Sequence, residues 1–229
     1  MLIPHLKEVN MQTRITELHD YSDDRGNVVR CLGDNEVKGN FSIIFRGSGN
    51  TVTLNKNAVL RELNIHFEAD NSYIELGRAR PGTSRQLSLL MRIGHECLIR
   101  IGNDCTCETR VFMSAAEGSQ ILVGDDVMWA SSCEVRATDS HAIYELNTGA
   151  RLNYSQDVVI GSHVWLGGEV VVLGGVSIGD NTVLGYRSLV TEPIPSNVIA
   201  GGVPARVIRK NIRWERQTTY NLKPIPSGI

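Results

Sequence analysis

Six histidines are scattered through this chain, and His141 stands in the setting best suited to chemistry. It ends the polar run Thr138-Asp139-Ser140-His141, at the head of a segment where a regular repeat breaks off. An imidazole that titrates near neutrality can take the proton of a hydroxyl as that oxygen attacks an activated carbonyl. Asp139, Glu145 or a backbone carbonyl could orient its second ring nitrogen. His163 is a second candidate, whereas His5, His19, His66 and His95 have no comparable context. Cys105 and Cys107 could be half of a metal site, but no second Cys or His pair stands at ligand spacing, so no metal is expected. His141, His163 and His95 likewise lack the close pair expected of a zinc site built from three histidines.

The repeat that positions these residues is plain from Ile160 to Pro195, which divides into the blocks IGSHVW, LGGEVV, VLGGVS, IGDNTV, LGYRSL and VTEPIP. Position one is always a branched aliphatic, and position five is Val164, Val170, Val176, Thr182, Ser188 or Ile194. A period of six fits neither an ordinary helix nor an alternating sheet. It predicts a parallel β-helix in which each hexad makes one short strand and one turn, and three hexads make one coil. Position one should point into a narrow column, each burial contributing roughly 1.5–3 kcal/mol. Turn residues such as Gly179 and Asn181 are expected to supply backbone conformations that cost other residues energy.

Fainter echoes at Leu54-Asn55, Leu76-Gly77, Ile101-Gly102 and Val123-Gly124 lie slightly more than one coil apart, as coils with small insertions would. Val123, Trp129 and Val135 hold the six-residue phase, which then fails before Ile160. A loop of about twenty residues must therefore leave the column at 139–158, and an ejected loop on a rigid scaffold is where function is expected. The organisation predicted is an N-terminal cap at 1–25, a β-helix at 26–208 and a C-terminal cap and tail at 209–229. Val207, Ile208, Ile212 and Trp214 supply the apolar side of that last cap, before the tail through Pro224 and Pro226. Cys97, Cys105 and Cys133 fall at small inward positions and read as reduced core residues.

A net charge of −2 and 41% hydrophobic residues give no support for nucleic-acid binding. No apolar run is long enough to span a bilayer, and the N-terminus lacks a signal-peptide pattern, so a cytoplasmic protein is expected.

The hexads, the loop carrying Thr138 to His141, and the ending Ala200-Gly201-Gly202-Val203-Pro204-Ala205-Arg206 together resemble the hexapeptide-repeat acyltransferases. Pairing of a loop histidine with Trp165 in the following coil is similar to the bacterial O-acetyltransferases of capsular polysaccharide and sialic acid. The resemblance implies an all-β, left-handed parallel β-helix, assembled as a homotrimer with active sites between adjacent subunits. It implies acetyl transfer from acetyl-CoA, with His141 as general base and Asp139 and Trp165 beside it.

By the same resemblance the pantetheine arm lies along Trp165, Gly167, Gly168, Gly185, Tyr186, Arg187, Gly201 and Gly202, where missing side chains expose backbone. Pro204, Ala205 and Arg206 close the nucleotide end, with Arg206, Arg209 and Lys210 toward phosphates. The chain departs from the family at Glu192, where relatives carry Lys, and at Val203, where Asn is common. Tyr144, Asn147, Arg151 and Asn153 are candidate acceptor contacts. The expected acceptor is a sugar hydroxyl of a cell-surface polysaccharide or sialic-acid-like unit. An N-acetyltransferase on an amino sugar and a non-catalytic β-helix scaffold are the alternatives.

Overall fold

The computed structural model describes residues 12–217; His5 and the tail through Pro224 and Pro226 lie outside the described residues. Every element within that range is a strand, and the strands form three sheets along one column, the third beginning at Thr106. The first sheet passes through Phe41–Phe45, Val59–Phe67, Leu87–Ile93, Val111–Ala115, Cys133–Arg136, Val171–Val172 and Leu189–Val190. The second includes Leu98–Ile101, Gln120–Val123, Val158–Ile160 and Ser177–Ile178. The third passes through Thr106–Cys107, Met128–Trp129, Trp165–Leu166, Val183–Leu184 and Val198–Gly201.

Pairing within the body of the column is parallel, and antiparallel strands close it off. Thr13–Ile15 lies antiparallel on Phe41–Phe45 at one end, and Arg206–Lys210 lies antiparallel on Val198–Gly201 toward the other. Ile160 pairs with Ile178, so a C-terminal coil takes eighteen residues, three hexads. Ile99 pairs with Ile121 and Ile74 with Ile99, so the upstream coils are four to seven residues longer.

All six position-one aliphatics from Ile160 to Val190 are buried, and so are the six position-five residues. The two polar ones are satisfied locally: Thr182 Oγ1 donates to the Pro195 carbonyl at 2.9 Å and Ser188 Oγ to the Gly185 carbonyl at 2.6 Å. Trp129 stands at a position one and is fully buried.

At the turns Asn181 takes the special conformation expected of it, and Gly179 does not. Position four, not the glycine at position two, takes the left-handed conformation: His163 (φ 55°), Glu169 (57°), Gly175 (80°), Asn181 (55°) and Arg187 (59°). That conformation costs a non-glycine residue roughly 1–2 kcal/mol. It turns the N–H along the column axis, where His163 N donates to Asp125 O at 2.8 Å and Arg187 N to Gly168 O at 2.8 Å. Glycine at position two answers to close approach instead. A Cβ on Gly161 would lie 2.3 Å from Asp180 Oδ1, and one on Gly179 would lie 2.4 Å from Ser196 N.

All five cysteines are free thiols, and four of them are buried. Burial pushes the Cys105 thiol up to about 12 and the Cys133 thiol up to about 11. Alkylation needs the thiolate and access to it. Iodoacetamide on the folded protein should therefore add to Cys31 alone, and to all five in denaturant, as read by peptide mass. Rapid labelling of Cys105 in the folded chain would contradict this packing.

Candidate active site

The chain leaves the column after Ala137 and Thr138, which are buried, and returns at Val158, which pairs with Ile121. Between them lies a small hairpin. Tyr144 and Arg151 form an antiparallel bridge, and Leu152 N donates to Ile143 O at 2.8 Å. Its turn is closed by Gly149 N donating to Glu145 O at 2.9 Å, with Gly149 left-handed at φ 69°. The Thr148 hydroxyl donates to the Glu145 carboxylate, which occupies one of the groups expected to orient His141.

His141 is exposed, and its ring makes no hydrogen bond among the described residues. Its backbone is nevertheless held. Asn153 Nδ2 donates both to the His141 carbonyl at 2.8 Å and to Asp139 Oδ2 at 2.9 Å, while Asn153 Oδ1 accepts from Ile143 N at 2.6 Å. Arg151 grips Glu117 of the preceding coil with two nitrogens and packs against the Tyr154 ring at 4.8 Å. Arg151 and Asn153, expected at an acceptor, are thus both engaged within the chain. Ile143, Tyr144, Leu146, Leu152 and Tyr154 are all exposed, Leu146 to 97%. Such an apolar cluster on one loop marks a contact surface.

Trp165 projects from the third sheet between Met128 and Val183 and is 38% exposed. The loop departs between the first and second sheets, so one chain does not bring His141 and Trp165 together. Trp165 instead faces Trp214, at 5.8 Å between ring centroids and a tilt of 46°.

Trp214 belongs to a strap that sequence reasoning did not resolve. Residues 212–216 run back along the column, with Ile212, Trp214 and Arg216 half-buried and Arg213 and Glu215 exposed. Each inward residue meets one corner. Asn181 Nδ2 donates to Ile212 O at 2.9 Å; Trp214 Nε1 donates to His163 O at 2.9 Å; Arg216 donates to Asp126 Oδ1 at 2.5 Å and to Thr106 Oγ1 at 2.7 Å. Two strap residues therefore span one coil. The strap also fixes His163: its ring stacks on Trp214 at 4.0 Å, with Nδ1 2.6 Å from Asp126 Oδ2 and Nε2 3.1 Å from Trp214 O.

The residues expected along a cofactor arm line the following coils. Gly167 and Gly168 serve packing rather than openness: a Cβ would lie 2.8 Å from Leu184 O in one case and 2.5 Å from the Tyr186 ring in the other. Gly185 is less crowded, with its nearest neighbour at 3.6 Å. Exposed Tyr186 donates to Glu169, and Arg187 Nε does so at 2.7 Å. Gly201 faces Ile208 across the last antiparallel pair, Gly202 is left-handed (φ 103°), and the Val203-Pro204 peptide is cis. Ala205 is buried, its N–H on Leu189 O at 2.8 Å, while Arg206 to Lys210 are exposed. Glu192 pairs with Arg206 at 3.2 Å. An exposed pair of this kind is worth at most about 1 kcal/mol, so Arg206 can exchange it for a phosphate.

A separate open groove of about 450 Å³ runs along the first sheet and its corner, lined by Arg61, Glu62, Thr109, Arg110, Phe112 and Glu134 among others. Its charges are balanced. Among the described residues no cluster of three or more His, Cys, Asp or Glu side chains is placed to hold a metal ion. Among the described residues no helix is long and apolar enough to cross a membrane.

Comparison with known proteins agrees with this architecture. The model of the bacterial transferase hexapeptide family (six repeats) matches residues 157–192. The polysialic acid O-acetyltransferase of Neisseria meningitidis is 30% identical over 204 residues, covering 89% of this chain and 93% of that enzyme. The galactoside O-acetyltransferase of Escherichia coli K12 is 43% identical over 90 residues, but those cover 39% of this chain and only 44% of that enzyme. The crystal structure of the polySia specific acetyltransferase NeuO superposes with a TM-score of 0.74 at 29% identity, covering 86% of this chain and 88% of the other.

The strap makes a measurable claim. Trp214→Ala removes a stacked aromatic and one hydrogen bond, and should cost about 1–3 kcal/mol in urea unfolding. Arg213→Ala, on the outward side, should cost almost nothing. Equal effects would show that the alternation along the strap carries no energy.

Proposed function

The chain belongs to the hexapeptide-repeat acyltransferases, and from that premise we propose that it moves acetyl from acetyl-CoA to a sugar hydroxyl of a cell-surface polysaccharide or sialic-acid-like unit. One observation carries the reading to a residue. Of the two histidines with a candidate role, His163 has both ring nitrogens and one ring face engaged by Asp126 and Trp214, whereas His141 stands on the ejected loop with its ring unengaged.

A sugar hydroxyl is a poor nucleophile at neutral pH. His141 takes its proton as the oxygen attacks the thioester carbonyl, then returns that proton to the departing sulfur. The C–O bond forms as the C–S bond breaks, so protons and electron pairs balance. Bound acetyl-CoA supplies an acyl group already activated as a thioester. Trp165 offers an apolar face to the acceptor or to the arm of CoA, and Asp139 steadies the loop through Asn153. The backbone of Gly185, Gly201 and Gly202, with Tyr186 and Arg187, borders the pantetheine arm. Pro204, Ala205, Arg206, Arg209 and Lys210 border the nucleotide. Tyr144 and Asn147 face the acceptor, while Arg151 and Asn153 shape the loop.

A homotrimer with sites between adjacent copies fits two features of the single chain. His141 and Trp165 lie on different sides of one column, so a second copy is needed to unite them, and the exposed apolar loop residues need a surface to cover them. A left-handed coil and a cytoplasmic location, where acetyl-CoA is at hand, complete the reading. The column at 26–208 forms the catalytic unit; of the caps expected at 1–25 and 209–229, residues 1–11 and 218–229 lie outside the described residues.

His141→Ala should lower kcat/KM for O-acetylation of a sialylated or neutral oligosaccharide by about 10²–10⁴-fold while acetyl-CoA still binds. Product is read as acetyl mass gained by the acceptor. An unchanged rate sinks the base; wild-type protein that binds no acetyl-CoA returns the chain to a scaffold; acetylation of amino sugars only makes it an N-acetyltransferase.

A further inference from the structure

One carboxylate that the proposed chemistry does not use fixes where the loop stands. Glu117 sits at a corner of the preceding coil in the left-handed conformation (φ 55°), and the loop takes both of its oxygens. Arg151 donates to Oε1 at 2.6 Å and to Oε2 at 2.9 Å. Ser155 donates to Oε2 through its amide at 3.2 Å and its hydroxyl at 3.0 Å. Arg151 also reaches the Asn153 carbonyl at 3.1 Å, and Asn153 in turn holds the carbonyl of His141. A continuous run of hydrogen bonds, the first of them charge-assisted, thus joins a rigid corner of the column to the backbone of His141.

We infer that Glu117 is a positioning residue for the reaction: it sets the location of the His141 imidazole by bracing the loop through Arg151 and Ser155. This rests on the reading of His141 as the base. The loop has no packed core of its own, since its apolar residues point outward, so hydrogen bonds must set its pose. A base displaced by about 1 Å can lose on the order of 100-fold in rate. The brace also holds steady across neutral and mildly acid pH. The Arg151 guanidinium, followed by the Ser155 amide, holds the Glu117 carboxyl down to about 2. Its ionised form, and with it the brace, is present at neutral and mildly acid pH and is lost only as pH falls through that value.

Glu117→Gln tests the role against His141→Ala and the double variant, with kcat, acetyl-CoA affinity by calorimetry, melting temperature and proteolysis of the loop as readouts. The expected result is a kcat lower by about 10- to 100-fold and faster cleavage between Tyr144 and Thr148. Acetyl-CoA affinity and melting temperature should be unchanged, and Glu117→Gln should have no further effect on His141→Ala. Arg151→Gln cuts the brace from the other side and should give the same pattern. A wild-type kcat for Glu117→Gln beside an impaired His141→Ala overturns the positioning role and leaves the base standing. A loss of full size on top of His141→Ala overturns it as well, because the effect then does not run through the imidazole. His141→Ala at the wild-type rate removes the base and this inference together.

Discussion

Every coil in this column is bonded to its neighbours by backbone groups that point along the axis, at the corners as well as in the strands. The corners are the demanding part. A residue there must turn its N–H axially, and His163, Glu169, Asn181 and Arg187 do so by adopting the left-handed conformation. The conformational cost at each corner is offset by a hydrogen bond that would otherwise be missing from a half-buried turn. Once the ladder is continuous through all three corners, coil length is fixed. Extra residues can only be absorbed as small enlargements of a coil or expelled sideways. The upstream coils take the first course, and the segment after Thr138 takes the second.

That constraint also decides what could be read from the sequence. From Ile160 to Val190 successive coils are eighteen residues apart, so their inward residues stack on equivalents and the six-residue period stands clear. Upstream, the same stacking is achieved by Leu89, Met91, Cys105, Cys107 and Val111 in longer coils, and the variable spacing erases the phase. Among the left-handed corners Asn181 is legible in the sequence, whereas Glu, Arg and His rarely adopt that conformation, and only the axial hydrogen bond explains why they do here. The glycines answer to a contact one coil away, which no local pattern records.

Legibility of the candidate site divides along the same line. His141 and Trp165 stand out because each sits at a break or a resumption of the period. Glu117, Asp126 and Trp214 do not, although they hold those positions in place. Their partners are 34 to 90 residues distant, across coils. The strap does leave a trace in its alternation of inward Ile212, Trp214 and Arg216 with outward Arg213 and Glu215. Five residues are too few to separate such a trace from chance without the corners they meet.

The two histidines illustrate how the scaffold sorts similar side chains into different roles. His163 sits at a corner, where the ladder fixes its backbone, the strap stacks on one ring face, and both ring nitrogens have partners. His141 sits beyond the ladder, where nothing in its own chain covers the ring, and only its backbone is tied down through Asn153. A base needs this combination: a fixed attachment point and an unoccupied nitrogen. In the proposed assembly the remaining requirement, exclusion of water, would be met by the neighbouring copy. The exposed Ile143, Leu146 and Leu152 give that copy an apolar surface on which to close. Rigidity then comes from the column and the brace, and the environment in which the imidazole works comes from association. On this reading, a single chain carries a placed base without a finished site.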